Sequence, residues 1–590
     1  MTFFRDIRQF FHTVFDPAYP EVSVSGLVVG ILIGILMTAS FSYAALVLGF
    51  STNGSAVAAI LGWGTLKLLL KRGTIVENNI VQTVASGINT TTAGVIFTVP
   101  VLLIRGTPFN IYWIAAACVA GAIMGVGFII PLRKQMIDID QLRFPSGTAV
   151  ASILKAPSEG VRKSRLLLWG AVVSGGVYIL TQFPKMGLPL VLPATVDVTR
   201  LLHLPAYIQN IWAISLLGLG IGYIAGRNGL FVLAGGVLSY WLITPLVVKL
   251  GWLPAGLSAA DQAHFVHNHM TRPLGIGLLV GGSIMGVILT LPAIRAALKH
   301  MRLSKLKGSQ SDELPLNVLY VVVAGAFGLL FLSSYFTSDI SVLRAFLVAG
   351  VGAVWLWFAG IIVSQATGMT DWTPISGMAL LAVVLLLLVL PKDELVTAVL
   401  IGATVSVAIA ECADMMQDLK TGQLVGSRPF KQQTVQLLVA WIGPVVALAV
   451  MLLIWNSGAV NPQTGQKLPG FGPGTSIEAP QATALGLTID SVVGGQVPKE
   501  KFLAGGILGA LLSFSGISGL GVIIGISMYL SLKYILPYGV GSLLAIYLKH
   551  KKGLNWSENV AIPVAAGLVV GEAFFTILFA ILKMAGVVQA

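Results

Sequence analysis

Long apolar stretches recur along the chain, separated by short polar breaks. They fall near 26–50, 52–70, 77–104, 110–132, 165–183, 207–225, 229–249 and 273–298. A second set falls near 314–337, 340–366, 373–391, 393–417, 433–455, 501–516, 519–548 and 559–586. A helix needs about 20 apolar residues to cross the hydrocarbon core of a bilayer. Stretches such as "GLVVGILIGILMTASFSYAALVLGF" and "MALLAVVLLLLVL" meet or approach that length. The pattern predicts an all-α polytopic membrane protein of about 16 transmembrane helices, with some re-entrant or broken segments. The predicted organisation is a cytosolic amphipathic segment at 1–25, a first eight-helix half at 26–300, a cytosolic linker at 301–313 and a second eight-helix half at 314–590.

Composition sharpens this picture. Of 590 residues only 10% are charged, and the mean hydropathy is +0.88, so a soluble globular chain is excluded. The net charge of +13 does not point to nucleic acid, because basic residues collect in loops that stay in the cytosol. The densest clusters, "LRKQMIDIDQLRF", "KAPSEGVRKSR" and "RAALKHMRLSKLK", become cytosolic if both termini are inside, although "LKHKKG" does not fit that assignment. The first residues lack the compact apolar core and cleavage site of a signal peptide. Cys118 and Cys412 sit in apolar stretches without metal-ligand spacing, so neither a disulfide nor a cofactor is expected.

The halves resemble each other. "RPLGIGLLVGGSIMGVIL" closes the first and "IPVAAGLVVGEAFFTIL" the second, with Pro273, Gly277 and Gly281 spaced as Pro563, Gly567 and Gly571. "RKSRLLLWGAVVSG" also resembles "FKQQTVQLLVAWIGP". Eight spans per half make the repeats parallel, and binding sites in such folds lie at the repeat interface.

Polar residues inside apolar stretches are the candidates for chemistry. "AIAECADMMQDLKTGQLVG" carries Glu411, Asp414 and Asp418 at i, i+3, i+7, one helical stripe. Such a stripe faces a wet cavity, a cation or the cytosolic interface; the interface reading weighs most for Asp418 and least for Glu411. Met415 and Gln417 lie close to it. "VENNIVQTVASGINTTTAG" begins a span with Glu77, Asn78 and Gln82. Glu77 could be a helix cap, whereas Asn78 and Gln82 are expected to line a polar path, with Ser86 on the same face as Gln82. "QLRFPSGTAVASIL" is too short to span and reads as a re-entrant or broken helix, with Ser146 and Thr148 as caps. Glu572 is the one acid in its span, and an ionisable residue there is by default a functional site. "HFVHNHM" offers His264, His267 and His269 as a weak metal site, for which a solvated loop is the simpler reading. No nucleotide-binding or protease motif occurs, so pumping driven by ATP within this chain is not expected.

"ENNIVQTVASG", "LRFPSGTAVASIL", "MQDLKTGQLVG" and "GLVVGEA", in this order and on about sixteen spans, resemble the oligopeptide transporter family, which includes the yellow stripe-like branch. The resemblance covers nearly the whole chain. It implies a secondary transporter, usually proton-coupled, for small peptides or metal–chelate complexes, built as a parallel repeat. The long hydrophilic extensions and "NPGPFN"-type motif of fungal and plant carriers are absent, and the compact form resembles the prokaryotic branch, in a bacterial inner membrane.

The expected function is therefore a proton-coupled symporter of peptides or metal chelates, not an enzyme. Glu572, Glu411 and Asp414 are the expected proton-linked acids. Glu77, Asn78, Gln82, Ser146, Thr148, Met415 and Gln417 are the expected substrate contacts. Partners are the small substrate, protons and lipid, and small-residue faces permit a homodimer. The rivals are an intramembrane metalloenzyme using the three histidines, and a passive channel.

Overall fold

The computed structural model describes residues 21–49, 54–254, 256–282, 284–286, 288–289, 313–337, 340–370, 373, 375–389, 394–458, 468–475, 477–493, 499–517 and 519–584. The expected amphipathic segment up to residue 20 and the linker over 301–312 lie outside them.

Among the described residues ten helices are long and apolar enough to cross a membrane. In the first part of the chain these are α1 (Val24–Leu48), α3 (Ile75–Ile104), α4 (Ile111–Leu132), α6 (Pro157–Gln182) and α7 (Leu216–Lys249). Between them lie two short helices, α2 (Ser55–Leu69) and α5 (Pro145–Leu154). Helix α8 (Ala259–Val266) continues through a π-turn at His267–Thr271. The second part holds α9 (Leu316–Thr337), α10 (Val342–Thr370), α11 (Ile375–Val389), α12 (Leu395–Val425) and α13 (Pro429–Asn456). Then come α14 (Pro480–Val493), α15 (Lys499–Leu512), α16 (Leu520–Tyr529), α17 (Leu532–Lys552) and α18 (Leu554–Leu582).

The all-α class holds, and the ten long helices are fewer than the spans expected. Segments expected at 52–70, 373–391 and 501–516 form α2, α11 and α15. The 14 residues of α15 rise about 21 Å, short of a 30 Å hydrocarbon core. The stretch expected at 519–548 breaks at Leu530, whose backbone is extended. The one expected at 207–225 starts late, because Ile211–Ala213 pairs with Thr195–Asp197 as a two-stranded antiparallel hairpin, Val196 opposite Trp212. Helix α7 begins only after Ser215, whose hydroxyl accepts the Gly218 N–H. Helix α14 was not expected at all.

The two most enclosed long helices are α3 and α12, and they set the core. The start of α3 is fixed by an N-cap: Thr74 Oγ1 accepts the Glu77 N–H, three residues into the helix. Helix α12 stops at Gly426, whose φ of 81° is a left-handed conformation that costs glycine nothing. Small residues let the backbones meet. A methyl group on Gly94 of α3 would stand 2.5 Å from Cα of Val407, and one on Gly125 of α4 would stand 2.8 Å from Cα of Ala408. Lipid-facing apolar side chains, such as Leu343, Phe346, Leu347, Val351 and Val354 of α10, are exposed on the outside.

The matched glycine segments share more than spacing. Each is preceded by a five-residue π-turn, His267–Thr271 before Pro273 and Ser557–Ala561 before Pro563. Each presses on the backbone of another helix, Gly277 and Gly281 on α15, Gly567 and Gly571 on α6.

Candidate functional site: a buried carboxylate stripe

Helix α12 carries its three acids into the interior. Glu411 and Asp418 are fully buried and Asp414 is 6% exposed, so the interface reading of Asp418 fails. The helix runs on well past these residues, to Val425, and α3, α5 and α13 cover the stripe.

Neutral donors face the carboxylates. Ser86 Oγ of α3 donates to both oxygens of Asp414, at 2.6 and 2.7 Å. Ser55 Oγ of α2 lies 3.4 Å from Asp414 Oδ1 and 2.8 Å from Ser86 Oγ. Gln82 Nε2 donates to Asp418 Oδ1 at 2.6 Å. Gln436 Nε2 of α13 donates to Glu411 Oε2 at 2.9 Å. Gln432 Nε2 bridges Thr83 Oγ1 at 3.0 Å and the Asp418 carbonyl at 2.9 Å. Two acid oxygens, Glu411 Oε1 and Asp418 Oδ2, are buried with no protein donor. Among the described residues no Lys or Arg forms an ion pair with any of the three.

An unpaired buried carboxylate is expensive, several kcal/mol per ion after relaxation. Neutral amides and hydroxyls offset part of that cost, and the remaining acceptor oxygens can take a proton or a cationic group. The stripe is thus a place where positive charge can be received and released.

The other expected residues fall elsewhere. Glu77 is not the cap, which is Thr74; in the first turn of α3 its Oε1 accepts from Ser23 Oγ at 2.5 Å and lies 3.6 Å from Arg72 Nη2. Asn78 donates to the Ala59 carbonyl at 3.1 Å and ties α3 to α2. Met415 is buried in the apolar core. Gln417 is buried, and its carbonyl backs onto Gly147 of α5. Ser146 and Thr148 do not cap α5. Its N-cap is Phe144 at φ 43°, both residues sit inside the first turn, and Thr148 Oγ1 donates back to the Arg143 carbonyl at 2.8 Å.

Glu572 is apart from the stripe and well partnered. Ser215 Oγ donates to its Oε1 and the Leu217 N–H to its Oε2, each at 2.8 Å. It therefore sits over the N-terminus of α7, where the helix dipole favours negative charge. The histidines do not converge. His267 stacks on Tyr240 and His269 on Phe265, and no group of three metal-ligating residues forms among the described residues.

Ser55, Gln432 and Gln436 escaped the sequence reading, and Ser86 was seen only as a neighbour of Gln82. A signal was available: "FKQQTVQLL" places Lys431 and three glutamines, all fully or nearly fully buried, at the start of an apolar helix.

Comparison with known proteins gives the same direction. Residues 21–583 match the family described as "OPT oligopeptide transporter protein". The chain is 28% identical to a Haemophilus influenzae protein titled "Putative oligopeptide transporter", over 92% of this chain and 93% of that one. It is 24% identical to the maize "Iron-phytosiderophore transporter yellow stripe 1", over 75% and 73% of the two chains. It is also 24% identical to the Arabidopsis thaliana "Metal-nicotianamine transporter YSL2", over 60% and 57%. All three relatives are named as transporters and none as an enzyme, and this chain belongs to the OPT oligopeptide transporter family.

Proposed function

We propose that the protein is a proton-coupled symporter that carries small peptides or metal chelates across the cytoplasmic membrane. The observation that carries this reading is the α12 stripe: three buried carboxylates, neutral donors around them and no cation partner among the described residues. Protons that enter the stripe from one side neutralise it, and the neutral stripe favours the conformational change that exposes it to the other. Coupling arises because proton and substrate favour the same transition. Asp414 and Glu411 are the principal proton acceptors, joined by Asp418. Glu572 is a further proton-linked acid, held from α18 over the start of α7.

The shared π-turn, proline and glycine arrangement of α8 and α18 supports a parallel repeat of two halves, divided near residues 301–313; the basic clusters of the sequence place both termini in the cytosol. In repeat transporters the halves or bundles rock around a central site. That model assigns the enclosed α3–α12 pair to the centre. Peptides and metal chelates remain the two substrate classes, following the relatives' names.

The test is accumulation in proteoliposomes. Trialanine and iron–nicotianamine are offered with and without an inward proton gradient. The expected result is concentrative uptake of one of them only under the gradient, lost in Asp414→Asn and Glu411→Gln. A passive channel would equilibrate a neutral substrate without concentrating it. Uptake indifferent to the gradient would defeat the proton-coupled reading.

A further inference from the structure

Beyond the stripe, a cleft of about 780 Å³ opens at the end of α12. Its wall includes Arg143, Thr148 and Ser152 from the α5 region and Lys420 and Gln423 from α12, with Asp138 alongside. These are the segments "LRFPSGTAVASIL", read from the sequence as a re-entrant or broken helix, and "MQDLKTGQLVG", the end of the acidic helix. They pack on each other directly: Thr421 Oγ1 donates to the Gly147 carbonyl at 2.8 Å. Lys420 lies two residues beyond Asp418, about 3 Å along α12 and about 200° around it, so the cleft opens on another face of the helix from the buried stripe.

The pairing of charges around the cleft is uneven. The acids are already served. Asp138 binds Arg133 Nη1 at 3.1 Å and Gln423 Nε2 at 2.9 Å. Glu313 binds the same guanidinium at 3.0 Å. Asp140 accepts from Gln135 Nε2 at 2.7 Å. The cations facing the cleft are not. Among the described residues Arg143 has no ion-pair partner, and Lys420 reaches only the neutral Gln423 Oε1, at 3.0 Å. A planar guanidinium with open donors and a mobile ammonium, set among hydroxyls and an amide, match an anion with two coplanar oxygens.

We propose that this cleft captures a carboxylate group of the transported ligand, with Arg143 and Lys420 as its recognising cations. The assignment rests on the transport reading for the identity of the ligand. With both termini inside, it places a carboxylate subsite at the cytosolic end of α12: the cleft holds the ligand's negative end on the face from which imported cargo leaves, and the stripe receives an accompanying proton. Both peptides with a free C-terminus and amino-carboxylate metal chelates carry such a group, so the cleft serves either class.

Equilibrium binding to purified protein in nanodiscs tests this without requiring transport. The probes are trialanine, trialanine amide, iron–nicotianamine and inorganic phosphate. The variants are Arg143→Gln, Lys420→Gln and the pair. Arg143 is exposed and Lys420 half-buried, so the fold is expected to survive, and unchanged thermal stability confirms it. At least one carboxylated probe is expected to bind the wild type with a Kd about ten- to a hundred-fold lower than in the double variant, as loss of charge-assisted hydrogen bonds implies. Trialanine amide and phosphate are expected to bind weakly to both. Carboxylated probes that bind wild type and double variant equally, or bind neither, overturn the proposal, as does displacement by phosphate at equal concentration. Binding that depends on Arg143 and Lys420 in a protein showing no gradient-driven uptake would sink the transport reading and leave the carboxylate site standing.

Discussion

Replacing Gly94 by alanine tests whether the α3–α12 crossing holds the site together. The added methyl would lie 2.5 Å from Cα of Val407 and 2.7 Å from its Cγ2. The first of these is backbone, so no rotamer change relieves it. Ordinary contact begins near 3.4 Å, so the helices must part by about 1 Å at this level. Overpacking of this kind costs about 1–3 kcal/mol. Ser86 lies eight residues earlier on α3, and its bonds to Asp414 at 2.6 and 2.7 Å would stretch beyond hydrogen-bond length if the displacement reaches them. A bond to a charged group is worth about 1.5–3 kcal/mol, so uptake should fall roughly ten-fold or more. The assay pairs heat-inactivation monitored by size-exclusion chromatography with proteoliposome uptake. Gly325→Ala on α9 is the control, because a methyl there meets nothing within 4 Å. Gly94→Ala with the stability and uptake of the control would refute the argument that bare backbone contact positions the acids.

Other outcomes follow from the same contacts. Gln82→Leu strips Asp418 Oδ1 of its donor and should lower stability by about 1–3 kcal/mol. Adding Asp418→Leu should recover much of that stability, since both polar partners are then gone, while uptake stays lost; recovery of uptake would remove Asp418 from the mechanism. Glu572→Gln keeps the shape but swaps one acceptor oxygen for an amide nitrogen, leaving Leu217 N–H or Ser215 Oγ without its acceptor. Gradient-driven uptake should fall, and normal accumulation with normal pH dependence would exclude a proton role for this acid. His267→Ala should cost about 0.5–1.5 kcal/mol through its lost stacking on Tyr240 and leave zinc content unchanged. Tight stoichiometric zinc that disappears in this variant would instead favour the metalloenzyme rival.

Class and the principal acidic helix were legible in the sequence because both rest on composition over long windows. A stripe at i, i+3, i+7 is visible wherever a helix is certain, and Gln82 and Ser86 could be placed on one face for the same reason. Their partners were not legible, since Ser86–Asp414 joins residues 328 apart and Gln436–Glu411 joins different helices. Asp418 was misjudged because hydropathy falls towards "DLKTGQ", although the helix continues and α5 covers it. Among the described residues α2 and α15 are shorter than the spans expected there, because apolar content does not reveal where a helix stops. Ser146 and Thr148 looked like caps because Pro145 was read as an interruption ahead of the helix, whereas Pro145 is itself the first helical residue.

Where helices touch through side chains, ridges can climb over one another and repack. Gly94 and Gly125 leave no such ridges between α12 and its neighbours α3 and α4. Any glide along these seams would drive carbonyls and amides into each other, so the three helices behave as a keel. The rocking proposed for cargo exchange would then fall on the interrupted pieces around it: α5 with its left-handed entry at Phe144, α7 with its positive-φ Gly226 and α18 with its π-turn.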